Sequence, residues 1–512
     1  VAIDKIFLIF ASGILMAMGC EPFDWWVLSW FSLVPLWLLI NNNTSVRKNL
    51  IMGLVWGLGY HGLTISWILG IHPMTWLGVP WLASLLIALV CWLLISLWGA
   101  SLVILWTMAM TFFQVNESRL PYCRVFVKII IGTAIWSGLE QLYSLTPLWW
   151  SSLSLTQSPH NLTILQLGTI SGPLTITAAL VVINGLIAEA IIMYQVKQKK
   201  NSQILILTAI LCYGFFSGVG WLLYQRPLSS EKALKIGLIQ GNIRNEIKLN
   251  PEGFTKAIEG YTTGYNQLAK EGVQLVITPE TALPFFWDSL TKYGSFYPAV
   301  KQAGIPVILG AFGSINNDYT NSLFMIDAEG KIMGIYDKSK LVPLGEYIPF
   351  EEILGKIIQR LSPLKTRLRA GKNNQIIESP FGKVILGICY ESAYPEIFRR
   401  QTRAGGEYIV TASNDAHYSL AMPAQHNAQD VMRAIENDRW AARVTNTGYS
   451  AIVTPRGDVI WRSSLNTYTT HTATIYTQDT KTLYVRFGNW LTVLLLGLAG
   501  VLYKIFESKK KI

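Results

Sequence analysis

Apolar and polar positions follow two different rhythms along this chain. Runs nearly free of charge occupy residues 6–19, 25–40, 51–69, 76–113, 125–145, 162–193 and 204–224, and a last one covers 490–506. A hydrocarbon core takes about 20 apolar residues per helix, so these runs predict a multi-span helical bundle whose first two members are short. Those two are either separate spans or a hairpin dipping into the bilayer, with Glu21-Pro22-Phe23-Asp24 as its turn. From Leu234 the rhythm becomes short alternating runs broken by turn residues. Strands are predicted at 236–240, 273–278, 306–313, 321–327, 331–336, 383–389, 408–411, 450–454, 459–461 and 471–476. Helices are predicted from about 250 to 269, around 395–403, and from about 423 to 438. Strands alternating with helices and interrupted by hairpins argue for a layered α/β domain with one sizeable core. The predicted division is a seven-helix membrane domain (1–225), a water-facing domain (226–484) and a final span with a basic tail (485–512).

The 76–113 run suits either one strongly tilted helix or two short ones. Charge decides between them. Lys5 precedes the first run; Arg47 and Lys48 follow the second; Arg119, Arg124 and Lys128 follow the fourth; Lys197, Lys199 and Lys200 follow the sixth. The connections after the first, third and fifth runs carry no Lys or Arg, and the tail carries Lys504, Lys509, Lys510 and Lys511. Positive-inside parity then requires one helix in the fourth run, cytoplasmic termini, and the large domain on the far side. The first run lacks a clear cleavage site and reads as a retained helix. Far-side connections rich in Trp, Pro and His (His72 to Trp76, Pro147 to Trp150) read as an aromatic belt, or as a rim through which a lipid chain passes. Glu140 either lines a polar cavity or sits at headgroup level.

The net charge of +11 raises the question of nucleic acid, but the basic residues gather at the ends of apolar runs, which suits topology signals and not a phosphate-tracking stripe. Five cysteines, four of them in or beside apolar runs, imply no disulfide framework. No dinucleotide or phosphate loop appears, and the six histidines have no metal-ligand spacing, so chemistry without cofactor or metal is expected.

Cys389 is the only cysteine of the water-facing half and stands where the run Ile385 to Tyr390 turns polar. Glu280, Lys338 and Glu346 also stand at strand ends or in adjacent loops. A cysteine nucleophile needs a base, or a cation that lowers its pKa, and a cation also stabilises the oxyanion formed when a carbonyl is attacked. By pattern alone, Cys389 reads equally as a small core residue, Glu280 as a helix cap and Lys338 as solvated surface. Residues 341–349 and 348–376 are candidates for a mobile cover. Within them Leu354, Ile357, Ile358 and Leu361 lie at helical spacing, suiting an amphipathic element on headgroups or a packed peripheral helix.

These residues belong to a larger set of motifs: Gln240-Gly241-Asn242-Ile243, Pro279-Glu280, Tyr336-Asp337-Lys338, Leu341 through Pro349, Gly387-Ile388-Cys389-Tyr390-Glu391, Ser413-Asn414-Asp415, Gln425-His426, Arg433 to Glu436, Arg439, Arg443 and Asn446-Thr447-Gly448. In order and spacing, and within a membrane frame, the chain resembles the apolipoprotein N-acyltransferase family, the membrane branch of the nitrilase (carbon–nitrogen hydrolase) superfamily. The resemblance implies an αββα sandwich, with Cys389 as acyl-accepting nucleophile, Glu280 as general base, Lys338 as oxyanion stabiliser and Glu346 as a second glutamate orienting the site. It further implies that Tyr390, Glu391, Leu249 and Asn414 bind or orient substrate. Implied partners are a phospholipid donor such as phosphatidylethanolamine and diacylglyceryl-modified lipoproteins, handled by a monomer in a bacterial inner membrane. Leu249 after Lys248, Thr278 before Pro279, and His417-Tyr418 depart from the family's usual tryptophans and phenylalanine, which bears on donor preference. The rival expectations are a membrane-tethered amidase acting on a small amide or nitrile, and a transporter or assembly factor with a degenerate enzyme domain.

Overall fold

A computed structural model describes residues 3–41, 45–113, 121–230, 232–292, 294–316, 318–347, 368–416 and 418–508. Residues 348–367, His417 and Lys509 to Lys511 lie outside these, and with them the expected amphipathic set Leu354, Ile357, Ile358 and Leu361. The chain forms two compact units. One takes residues up to 69, 88–226 and from 487 on; the other takes 70–87 and 227–486.

In the first unit, helices Trp81–Phe112, Arg124–Tyr143, Pro173–Gln195 and Lys199–Tyr224 are long and apolar enough to cross a membrane. The 76–113 run is one continuous helix from Trp81, as charge parity requires. Helix Ile3–Ala17 is shorter than a full span, and the second run divides into a turn at Trp26–Trp30 and a helix at Val34–Asn41. The 162–193 run splits into Leu162–Leu165, Gly168–Ser171 and Pro173–Gln195. Gly172, at φ +71, ends one helix, and Pro173 opens the next, where its missing N–H costs nothing.

Glu140 is buried inside the first unit. It is 1 % exposed and accepts bonds from Trp136, Ser152, Thr177 and the Leu153 N–H, which order the 152–154 connection. A second buried acid, Glu189, accepts from Lys128 at 2.8 Å, Trp37 at 2.9 Å and Asn41 at 2.8 Å. A carboxylate without such donors would be costly in an apolar bundle.

In the second unit, β1 (Ala233–Gln240), β2 (Leu275–Ile277), β3 (Val307–Ile315), β4 (Asp318–Ile326), β5 (Ile332–Asp337) and β12 (Thr469–Tyr476) form a sheet ordered β12-β1-β2-β3-β4-β5. The other sheet is β11 (Val459–Arg462), β10 (Ala451–Val453), β9 (Ala441–Thr445), β8 (Tyr408–Ser413), β7 (Gly382–Ile388) and β6 (Ile377–Ser379), in that order. Alternate residues of both sheets, among them Ile236, Leu238, Leu323, Leu386, Val410 and Ile452, meet in a shared core. Outside the first sheet, helix Pro251–Lys270 buries Ala257, Tyr261, Tyr265 and Leu268, an i, i+4 stripe. It opens with Pro251 and Glu252 and ends with Lys270, which suits the helix dipole. Helices Pro395–Arg403 and Ala421–Asn437 cover the second sheet. The result is the expected αββα sandwich. β6, β9 and the helices Trp287–Lys292 and Phe296–Ala303 were not foreseen from the sequence.

Candidate active site

The expected site residues leave the ends of strands from both sheets. Glu280 follows β2, in a turn that lies hard against β3. A Cβ on Gly310 would come within 2.0 Å of the Pro279 carbonyl, so β3 must carry glycine there. Lys338 directly follows β5, and Cys389 directly follows β7. Cys389 has φ +50, a left-handed conformation that is unfavourable for a side-chain-bearing residue and is held only by its surroundings. Before it, Gly387 leaves room for the Phe398 ring, which a Cβ would approach to 2.5 Å.

Lys338 is the hub. Its Nζ donates to Glu280 Oε1 at 3.0 Å and to Glu346 Oε1 at 2.9 Å, and the side chain is 1 % exposed. Asn321, on β4, donates to the same two oxygens at 2.7 and 3.1 Å. The second oxygen of Glu346 accepts from the Val342 N–H at 2.8 Å. Burial pushes the Glu280 carboxyl up, but the Lys338 and Lys248 ammoniums outweigh it, and the group lies below the ordinary carboxylate range. Burial pulls Lys338 down while Glu280 and Glu346 raise it further, so it stays charged. Cys389 is pushed well up, first by burial and then by the Glu280 charge, against the pull of Lys338. The resting site is therefore carboxylate, ammonium and neutral thiol. Cys389 is buried, with 6 % exposure, as a member of the inter-sheet core.

Other expected residues take different places. Glu391 is fully buried and touches neither carboxylate. It accepts from the Ser339 N–H and Oγ and the Lys340 N–H on one oxygen, and from Tyr336 and the Ile388 N–H on the other. It ties the Lys338 loop to the Cys389 turn. Tyr390 lies beside Tyr394, ring centroids 5.2 Å apart and edge to face. The Asn414 N–H bonds the Cys389 thiol, while its side chain joins Asn245 and Asn446 at 3.0 Å each. Leu249 is half-buried just beyond the short helix Asn245–Lys248. Its neighbour Lys248 turns inward and donates to the Glu280 carbonyl at 3.1 Å. Burial lowers the Lys248 ammonium to about 8, against the opposing charges of Glu280 and Cys389.

Chain spacing showed no metal ligands, yet folding gathers Cys389, Asp415 and His426, with ligand atoms within 4.8 Å of one another. The ring nitrogens of His426 already face Asp415 Oδ1 at 3.0 Å and the Cys389 carbonyl at 2.8 Å, and Asp415 Oδ2 accepts from Arg443 at 2.8 Å. The set is closed by its own hydrogen bonds. In the other unit, His160 lies 3.1 Å from Asp24 and 3.6 Å from Glu21, an ion-pair arrangement.

Comparison with known proteins identifies the family. Residues 235–484 match the carbon-nitrogen hydrolase model, and residues 12–186 match the apolipoprotein N-acyltransferase N-terminal domain. The chain is 52 % identical to an apolipoprotein N-acyltransferase of Nostoc sp., covering 94 % of this chain and 96 % of that one. The chain belongs to the apolipoprotein N-acyltransferase family. Relatives with the same name from Synechocystis sp. (46 % identical, 96 % of this chain, 99 % of that one) and Thermosynechococcus vestitus (39 %, 94 % and 92 %) match over nearly the same extent.

Within this member of the acyltransferase family, Glu391 gives a direct test of how the site is held. In Glu391→Gln one carboxylate oxygen becomes an amide that faces donors with a donor of its own. The variant is expected to lose about 3 kcal/mol, seen as a melting temperature lower by roughly 5–10 °C. Melting unchanged from the native protein would mean that the Glu391 bonds do not hold the two loops together.

Proposed function

We propose that this protein moves a fatty acyl chain from a phospholipid, through a thioester on Cys389, to the amino-terminal amine of a diacylglyceryl-cysteine lipoprotein. The observation carrying this reading is the buried Lys338 ammonium shared by Glu280 and Glu346 beside a neutral thiol, in a chain that also has membrane-length helices.

Glu280 takes the Cys389 proton as sulfur attacks the donor's ester carbonyl. Lys338 and the Tyr390 N–H receive the negative charge that develops on oxygen. Collapse breaks the bond to the glycerol oxygen, which takes the proton from Glu280 and leaves as lysophospholipid. The lipoprotein amine then attacks the thioester and gives a proton to Glu280. The C–S bond breaks, sulfur recovers that proton, and an amide remains. This is ping-pong chemistry. Glu346 and Asn321 hold Lys338 and Glu280 in register, and Tyr390 and Asn414 line the acyl site. Phosphatidylethanolamine is the expected donor.

Both substrates keep their chains in the bilayer. Drawing one into water costs about 0.8 kcal/mol per methylene, so a site at the outer surface of an inner membrane is reached without extraction. In this reading residues 1–225 and 485–512 form the membrane part with both termini cytoplasmic, 226–484 the periplasmic catalytic part, and the enzyme works as a monomer.

The test uses the full chain in mixed micelles with phosphatidylethanolamine carrying one deuterated acyl chain. The Cys389 peptide is expected to gain the mass of that chain, and a diacylglyceryl-cysteine peptide then discharges it as an amide. Release of free fatty acid alone, with no amide, would replace transfer by hydrolysis.

A further inference from the structure

We infer that His426 is a positioning residue that, as an imidazolium, polarises the peptide between Cys389 and Tyr390 and so strengthens the Tyr390 N–H as an oxyanion donor. The inference rests on the acyl-transfer reading and adds to it a group that never touches substrate.

Hydrogen-bond bookkeeping leads to the charge. His426 is fully buried on the helix Ala421–Asn437. Its Nε2 lies 2.8 Å from the Cys389 carbonyl oxygen, and its Nδ1 lies 3.0 Å from Asp415 Oδ1. A carbonyl and a carboxylate only accept, and a neutral imidazole has a single N–H to give. Both contacts are satisfied together when the ring carries two. Asp415 cannot supply the missing proton. Burial raises its carboxyl, but the Arg443 guanidinium opposes this, and Asp415 Oδ2 already accepts from Arg443.

Charge balance leads to the same state. Arg443 bridges Asp415 at 2.8 Å and Asp430 at 2.5 Å, and Thr411 donates to Asp430 at 2.9 Å. Asp415, Asp430, Arg443 and His426 are all buried. Two carboxylates against one guanidinium leave a buried negative charge; a second cation cancels it.

The consequence passes through one peptide plane. In a trans peptide the C=O and N–H point in opposite directions. His426 takes the oxygen of Cys389, so the N–H of Tyr390 points away from it. A charged donor on that oxygen draws density through the amide and makes the N–H a stronger donor. The same bond anchors Cys389 in its left-handed conformation.

The experiment compares two reactions of one thiol in the full chain. Alkylation by iodoacetamide builds no oxyanion; acylation by phosphatidylethanolamine does. In His426→Gln, acylation at saturating donor is expected to fall about 10- to 100-fold. Half-saturating donor concentration and the alkylation rate per thiolate, read from its pH dependence so that any change in thiol acidity is removed, should stay within about twofold of native. Asp415→Asn keeps a partner for Nδ1 but lets the ring become neutral, so the same selective loss is expected even if the glutamine variant folds poorly. Parallel losses of alkylation and acylation would mean that the thiol is merely displaced, and unchanged acylation would mean that the ring has no part. Either result overturns this inference while leaving acyl transfer standing. A native protein that alkylates normally but takes no acyl group from phospholipid overturns both.

Discussion

Cys389→Ser is expected to take up no acyl chain from phospholipid, with acylation at position 389 slower by at least about 10⁴-fold. The substitution changes one atom in a buried, crowded turn, so folding and membrane insertion should survive it. What changes is the acidity of the nucleophile. Cys389 already has a raised pKa because of burial and the Glu280 carboxylate, and a hydroxyl starts several units higher in the same surroundings. In the proposed reaction Glu280 would have to take this proton, and a carboxyl held below the usual range is poorly matched to an alcohol. Mass measurement of the 389 peptide after incubation with labelled donor decides the matter. Acylation of the serine variant at another residue, at the native rate, would move the chemistry away from this turn.

Lys338→Met should have the next largest effect. One buried cation serves two carboxylates, and its loss leaves Glu280 and Glu346 facing each other across Asn321 with no charge between them. Breaking a buried pair in this way costs about 3–5 kcal/mol, and the oxyanion loses a charged donor worth about 10²- to 10³-fold in rate. The pH profile should also change, and the sign follows from the causes. In the native site, attraction to Lys338 and Lys248 exceeds the upward push of burial, so Glu280 stays ionised until the pH falls below the ordinary carboxylate range. Without Lys338, burial is opposed mainly by Lys248, and Glu280 protonates at higher pH. As pH falls, residual acylation should therefore begin to decline at a higher pH than native acylation does. Rates measured from pH 5 to 8 on both proteins check this; identical profiles would show that Lys338 does not set the charge of Glu280.

Much of this arrangement was legible in the chain. Alternating runs located ten of the twelve strands among the described residues, and the turn residues at 328–330 located the β4–β5 hairpin. β9 escaped because Arg439 and Arg443 flank and interrupt it, and arginines suggest solvent. Both are fully buried here, Arg443 through its two carboxylates and Arg439 through carbonyl oxygens. Asn321 escaped for a related reason: a polar residue inside a predicted hairpin strand reads as its solvent face. Lys248 was noticed only as the neighbour of Leu249, since nothing local tells that a short helix turns it inward. Asp415 and His426 were visible only as members of separate motifs. Their meeting depends on β8 and the following helix, a tertiary fact with no local trace. In the first unit, uninterrupted apolarity concealed the break at Gly172-Pro173, although the dipeptide itself was there to be read.

Glu280 and Lys338 leave strands of one sheet and Cys389 a strand of the other, with Glu391 fastening the two loops. A chain that has completed only one sheet thus holds either the thiol or the ion pair, but not both. Neither can cleave an ester. Under the proposed reaction, the three groups come together only when the two halves of the sandwich close.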